Sequence, residues 1–213
     1  MEYSIPRISY ASLLHLDLSG LLDAVEAWDS QIRILQTMDS AYVHRVIRPF
    51  FKAGWSSMGF IATAAHMRVA GVNKEFGNAV REAQGIRGVL CDTHDRLKRY
   101  KDELHRIVEE DARHEGLVVN TTGVDAEITP RQDAATDPDI HEEGGKAKAI
   151  AEQQSKIDEF AARIEKVLRD ATDTDRAAAA ALRRNLGRKP KGFNDKVSNA
   201  LEADESERRK RTS

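Results

Sequence analysis

The sequence predicts a mainly α protein: a long antiparallel helical hairpin, a third long helix packing on its distal half, and a small β-hairpin. Three observations carry this. Apolar residues recur in alternating steps of four and three over two long intervals, the rhythm of helices that share a packed seam. The five prolines stand outside those intervals or at their edges, where a residue that cannot continue a helix belongs. The composition is 40% apolar, 32% charged and only 6% aromatic, a mixture that suits long amphipathic helices better than a compact α/β enzyme core.

The elements follow in order. Residues 1–18 form a mixed N-terminal segment in which residues 9–14 fit a helical turn or two beyond Pro6. A stronger helix is expected over residues 19–47, with Ser19 as N-cap and Asp23 close to the first turn. Its apolar row is Leu21, Val25, Trp28, Ile32, Leu35, Tyr42 and Val46, with Asp39 its one polar member. The residue before a proline is pushed out of the α region, so this helix is expected to stop before Pro49. A turn over residues 48–57 follows, punctuated by Pro49 and Gly54.

The next row is the longest: Met58, Ala62, Ala65, Val69, Val72, Phe76, Ala79, Ala83, Ile86, Leu90, Thr93, Leu97, Tyr100, Leu104 and Ile107. Only Thr93 is neither apolar nor aromatic. A seven-residue repeat held this long predicts a helix that coils around a partner helix. Gly71, Gly77, Gly85 and Gly88 each weaken it by up to ~1 kcal/mol relative to alanine, so the row must be packed to outweigh them. At 1.5 Å per residue the first helix is roughly 40 Å long and the second roughly 80 Å. The hairpin, residues 19–116, therefore leaves the half from Leu90 to Ile107 in need of another cover.

Gly116 ends the long helix. Residues 117–128 read as a small β-hairpin, with Leu117-Val-Val119 and Val124-Asp-Ala-Glu-Ile128 on either side of Asn120-Thr-Thr-Gly123. Residues 129–145 are an acidic linker holding Pro130, Pro138, Gly144 and Gly145. Residues 146–186 are helical again, with a face of Ile150, Ile157, Phe160, Ile164, Val167, Ala171, Ala178 and Leu182. The polar stretch Asp170-Ala-Thr-Asp-Thr-Asp-Arg-Ala177 is expected to strain or break it. This third helix is the natural cover for the distal half of the second. Residues 187–213 form a basic, partly disordered tail, with a short helix fitting residues 193–201.

The formal net charge of −2 gives no reason to invoke nucleic acid or an anionic membrane. The single cysteine, Cys91, has no internal partner and no zinc-like cluster around it. No apolar run approaches the ~18 residues of a membrane span. The opening Met-Glu-Tyr-Ser-Ile-Pro lacks the basic start and apolar stretch of a classical signal peptide. A cytoplasmic location, or export by another route, is therefore expected.

A helix, a turn carrying Gly54-Trp55-Ser56, and a long helix opening with Ala62, Ala64 and Ala65 resemble the WXG100 superfamily. The long helix ending at a glycine, the hairpin Gly116-Leu-Val-Val to Gly123-Val-Asp, the acidic linker and Phe160-Ala-Ala-Arg-Ile-Glu-Lys-Val-Leu-Arg-Asp-Ala-Thr172 are similar to helical N-terminal regions of large actinobacterial proteins related to it. The resemblance covers roughly residues 9–186. It implies a helical hairpin that dimerises, with itself or another helical protein, and is handled by the type VII (ESX) secretion machinery. A toxin or enzyme encoded nearby would be a further partner. Ser57 stands where the family's Trp-x-Gly turn has its glycine. The family's export signal, a tyrosine with an acid four residues on, is absent: Tyr3, Tyr10, Tyr42 and Tyr100 are followed at that distance by Arg7, Leu14, Val46 and Leu104. A partner would supply the signal, or the chain would stay in the cell.

The candidate chemistry is thin. Trp55 either docks a secretion partner or closes the hairpin, and one half-exposed tryptophan can do both. His105 and Glu109 lie one turn apart and could make half a metal site, but a solvated i,i+4 pair is the preferred reading. Cys91 with His94 one turn on lacks the third group and the pocket of a nucleophile. Asp39 either fixes register or pairs with a cation, or else the seam rotates and Met38 or Val43 faces inward. Neither Arg183, Arg184, Arg188, Lys189 and Lys191 nor the tail Arg208-Arg-Lys-Arg211 has the aromatic interleaving of a nucleic-acid site, so nucleic acid is not expected. No phosphate loop or nucleophile elbow is present. The expectation is a non-enzymatic interaction module with no cofactor and no metal, secreted by the type VII route or cytoplasmic. Its contact residues are Trp28, Trp55, Phe76, Ile86, Leu90, Leu97, Tyr100 and Leu104. The alternatives are a cytoplasmic scaffold coiled coil and a weak nucleic-acid binder acting through the basic C-terminal segment.

Overall fold

The computed structural model describes residues 7–53, 59–122, 125–130 and 143–186. Trp55, the centre of the expected turn, the segment 131–142 and the basic tail from residue 187 lie outside the described residues. The elements are α1 (Tyr10–Leu14), α2 (Ser19–Tyr42), α3 (Arg48–Lys52), α4 (Phe60–His105), α5 (Ala112–His114), β1 (Leu117–Thr122), β2 (Asp125–Pro130) and α6 (Glu143–Leu186). The chain is mainly helical, with long helices packed on one another and one two-stranded antiparallel sheet.

Two helical joins differ from expectation. The first helix does not stop before Pro49. A π-helical turn, Val43–Ile47, follows α2, and Pro49 then sits in the first turn of α3. The wider turn sends the Arg48 N–H to the Val43 carbonyl, five residues back. Near the start of a helical segment a proline's missing N–H and fixed φ do little harm, so the helix runs to Lys52. A second π turn, Arg106–Asp111, joins α4 to α5. The helix ends at Gly116, whose φ of 71° is the left-handed conformation that glycine adopts without a Cβ penalty.

Contacts divide the chain into two compact units. One comprises Ser19–His94 and the described part of Ala177–Ser213. Here α2 and α4 run antiparallel in a fixed register. Asp29 pairs with Arg87 at 3.0 Å, Tyr42 lies against Phe76, and Phe50 and Phe51 lie against His66. As one number rises the other falls. Val25 and Ile32 are buried from α2, and Ala62, Ala79, Ala83, Ile86 and Val89 from α4. Thr93, the polar member of the row, is buried with its hydroxyl donating to the Val89 carbonyl at 2.6 Å. Met38 is half exposed while Asp39 is half buried, so the seam does not rotate toward Met38. The end of α6 joins this core through Ala178, Ala181 and Leu182 against Val89.

The other unit comprises the described part of Met1–Leu18 together with Asp95–Arg176. Leu97, Leu104 and Ile107 continue the buried row, and the other buried residues of this unit include Tyr10 and Leu13 of α1, Leu117 of β1 and Phe160, Ile164 and Val167 of α6. Ser9 caps α1 by accepting the Ser12 N–H. The other end of α1 is tied down by Lys101, which donates to the Leu16 carbonyl at 2.8 Å, and by His105 against the Leu14 carbonyl. Asp111 pairs with Arg163, whose guanidinium also covers the Phe160 ring. Glu115 pairs with Lys156 at 2.7 Å.

The sheet is longer than expected. β1 and β2 pair from Leu117 opposite Pro130 to Thr122 opposite Asp125. Asn120, Thr121 and Thr122 are therefore strand residues, and only residues 123 and 124 separate the strands. Thr129 and Pro130 belong to β2, and α6 begins at Glu143, so the expected linker shrinks from both ends. The polar stretch of the third helix does not break it. Thr172 is buried with its hydroxyl donating to the Leu168 carbonyl and accepting the Ile8 N–H at 3.0 Å. A side chain satisfied in this way no longer competes with the helix for its own backbone.

Three outcomes follow from this packing. Leu104 is fully buried, so Leu104→Ala should cost about 2–5 kcal/mol, seen as a lower urea midpoint, while Leu22→Ala, half exposed, should stay within about 0.5 kcal/mol. A Cβ at Gly77 would meet nothing within 4 Å, so Gly77→Ala should stabilise α4 by up to ~1 kcal/mol in the same assay. The hydrogen bond from Arg163 holds the Asp111 carboxyl below the ordinary carboxylate range, with Arg106 adding to it. A lowered folded pKa stabilises above the unfolded value and is lost as pH falls through the folded one. Asp111→Asn should melt below wild type near about pH 7, and the gap should close as pH falls below about 4.

Candidate interaction surface

The residues expected to make contacts are largely consumed by the chain's own packing. Ile86, Leu97 and Leu104 are buried, each at 5% exposure or less. Trp28, Phe76, Leu90 and Tyr100 are half buried. Phe76 meets Tyr42 with ring centroids 5.5 Å apart. Trp55 lies outside the described residues. Much of the row that the sequence made most visible is therefore core, although Val72 within it is 39% exposed.

Among the large apolar residues at the surface of the described chain, two groups stand out. The first is on α2. Ala27, Ile34, Met38 and Ala41 follow one another in steps of seven, four and three. At 3.6 residues per turn this row lies roughly a third of a turn from the seam row. Ile34 is 51% exposed and Met38 49%. The first helix thus has two apolar rows, one closed against α4 and one open. The same rhythm that marks the seam marks this second row, so it was available to sequence reading. The stronger row drew attention from it.

The second group stands where the two arms meet. Phe51 of α3 and Phe60, Ile61 and Met67 of α4 are 56%, 87%, 71% and 65% exposed. The Phe51 ring stacks on His66 with centroids 4.8 Å apart, and Phe50 meets the same histidine edge-on at 5.0 Å. These ring contacts fix the end of α3 beside the start of α4. The sequence placed Phe51 in a turn and gave Phe60, Ile61 and Met67 no role, because none of them falls on the seam row.

In the other unit a cavity of about 360 Å³ lies among Ile8, Tyr10, Ile128, Ile164 and Leu168, with the Arg7–Glu165 pair at its rim. Burial raises the Tyr10 hydroxyl pKa, with Glu109 adding to the effect. The lining is largely apolar, with Ser9 hydrogen-bonded to Ser12, and nothing in it resembles a nucleophile paired with a base. His105 bonds Glu109 at 2.9 Å through Nδ1 while its other nitrogen faces the Leu14 carbonyl, so this pair braces α1. Cys91 is half buried on α4. Among the described residues there is no group of three or more His, Cys, Asp or Glu placed to hold a metal ion, and no helix is long and apolar enough to cross a membrane.

Comparisons of this chain with protein-family models, with curated proteins and with solved structures return no match.

Proposed function

We propose that this chain is a non-enzymatic helical protein–protein interaction module of WXG100-like type, acting in type VII secretion as a substrate, partner or targeting factor. The observation that carries the reading is the open second row of α2. Its partner is an α-helical chain, a second copy or a related protein, laid along Ala27, Ile34, Met38 and Ala41. Exposed apolar rows at heptad spacing are the surfaces that helices bury against one another. The antiparallel arms and the Gly54-Trp55-Ser56 sequence between them support the family assignment. A cytoplasmic scaffold would use the same row, and the two readings part at the cell boundary.

The test has two arms. Ile34→Asp with Met38→Asp should abolish self-association or capture of a helical partner while leaving the melting temperature within a few degrees of wild type, because both side chains are already half exposed. Leu97→Asp should instead unfold the protein, since it places a carboxylate in an apolar core. A doubly substituted protein that keeps its assembly mass by light scattering would remove the α2 row as the contact surface. Detection in culture supernatant that depends on an intact type VII system separates secretion from the scaffold reading. Retention in the cell under those conditions favours the scaffold.

A further inference from the structure

Between Asp39 and Glu75 the chain runs 35 residues without an aspartate or glutamate, although the protein has 35 acids in 213 residues and would ordinarily place five or six in such an interval. The same interval holds Arg45, Arg48, Lys52, Arg68 and Lys74. In the linear sequence this is a gap in one kind of residue. The fold makes it a place. The Tyr42–Phe76 contact and the stacking of Phe50 and Phe51 on His66 double the interval back on itself, so it forms one end of the hairpin. All five cations there are exposed, and among the described residues none of them is ion-paired.

This is the end that carries Phe51, Phe60, Ile61 and Met67. Two chemistries therefore coincide: large apolar side chains beside the turn, and positive charge without any carboxylate immediately behind them. Along α4, Arg68 lies about 10 Å from Ile61 at 1.5 Å per residue. Along the other arm, Arg48 and Arg45 recede in the same way from Phe51 and Lys52. Apolar residues in front and Lys or Arg about one to two turns behind match the depth profile of a bilayer surface. There apolar groups enter the headgroup–acyl boundary by about 5–10 Å while cations stay with the phosphates. A protein partner needs no such zone free of one charge sign. A surface of uniform negative potential does, because any carboxylate brought to it is repelled.

We propose that this end of the hairpin docks on membranes rich in anionic phospholipid. Phe51, Phe60 and Ile61 enter the interface, Arg45, Arg48 and Arg68 face the headgroup phosphates from behind, and Lys52 beside Phe51 reaches back to them along its own stem. The contact is peripheral, and it does not depend on the secretion reading, which rests on the other face of α2.

The experiment is flotation of the full chain with vesicles of phosphatidylglycerol and phosphatidylcholine in equal parts, against vesicles of phosphatidylcholine alone. Binding to the anionic vesicles should be at least about tenfold stronger and should fall as salt rises from about 0.1 M to about 0.5 M. Arg45→Glu with Arg48→Glu should weaken it by about tenfold or more. Phe60→Ser with Ile61→Ser should weaken it on both vesicle types. All four side chains are exposed, so helicity by circular dichroism should not change in either variant. Equal binding to both vesicle types, no binding to the anionic ones, or variants that bind like wild type would each overturn the proposal. So would salt-sensitive retention on an acidic polypeptide with no vesicle binding, which would assign this end to an acidic macromolecule instead.

Discussion

The structure depends on keeping one face of α4 out of water. Ala62, Ala79, Ala83, Ile86, Leu97 and Leu104 lie on one helix of 46 residues, and no single neighbour covers them all. In one unit the cover is α2 with the last turns of α6. In the other the buried residues come from α1, β1 and the middle of α6. A helix with several glycines and a polar remainder gains little from propensity, so its order comes from tertiary burial. The ion pairs add direction to that burial. Asp29 with Arg87, and Asp111 with Arg163, join residues from separate elements and fix which face meets which.

Satisfying that face leaves little of it for anything else, which shapes the functional reading. The two proposed contact surfaces therefore lie outside the seam: the open row of α2 and the apolar, acid-free end of the hairpin. The two surfaces differ in chemistry. The α2 row sets two large residues, Ile34 and Met38, between Ala27 and Ala41 among mixed charges, as a surface for another helix would. The hairpin end combines protruding aromatic and aliphatic side chains with charge of one sign. A near-neutral total charge conceals this asymmetry, because acids concentrated elsewhere cancel cations concentrated here.

Where local signals misled, a distant partner or a small change of helical register was responsible. Pro49 is an orthodox helix stop, yet the π turn before it sets the proline into the first turn of a new segment. Thr172 sits in a run that reads as helix-breaking, yet it bonds Ile8, 164 residues earlier in the chain. Asn120-Thr-Thr has turn composition, yet each residue pairs across the sheet. The N-terminal segment offered a helical turn or two at residues 9–14, where α1 lies, but gave no sign that Tyr10 and Leu13 would be among the most buried residues. Five residues give too short a window for periodicity to speak.

The sequence by itself determined the number of long helices, the face that α4 buries and the glycine at which the long helix ends. Those features depend on spacing along one chain, and spacing is printed in the sequence. Only the tertiary structure decided that three of the expected contact residues are core and four more are half covered, that the second row of α2 stays open, and that a stretch without acids becomes a single end of the hairpin. Those outcomes depend on which residues far apart in the chain come together, and a one-dimensional pattern holds no record of what will stand opposite it.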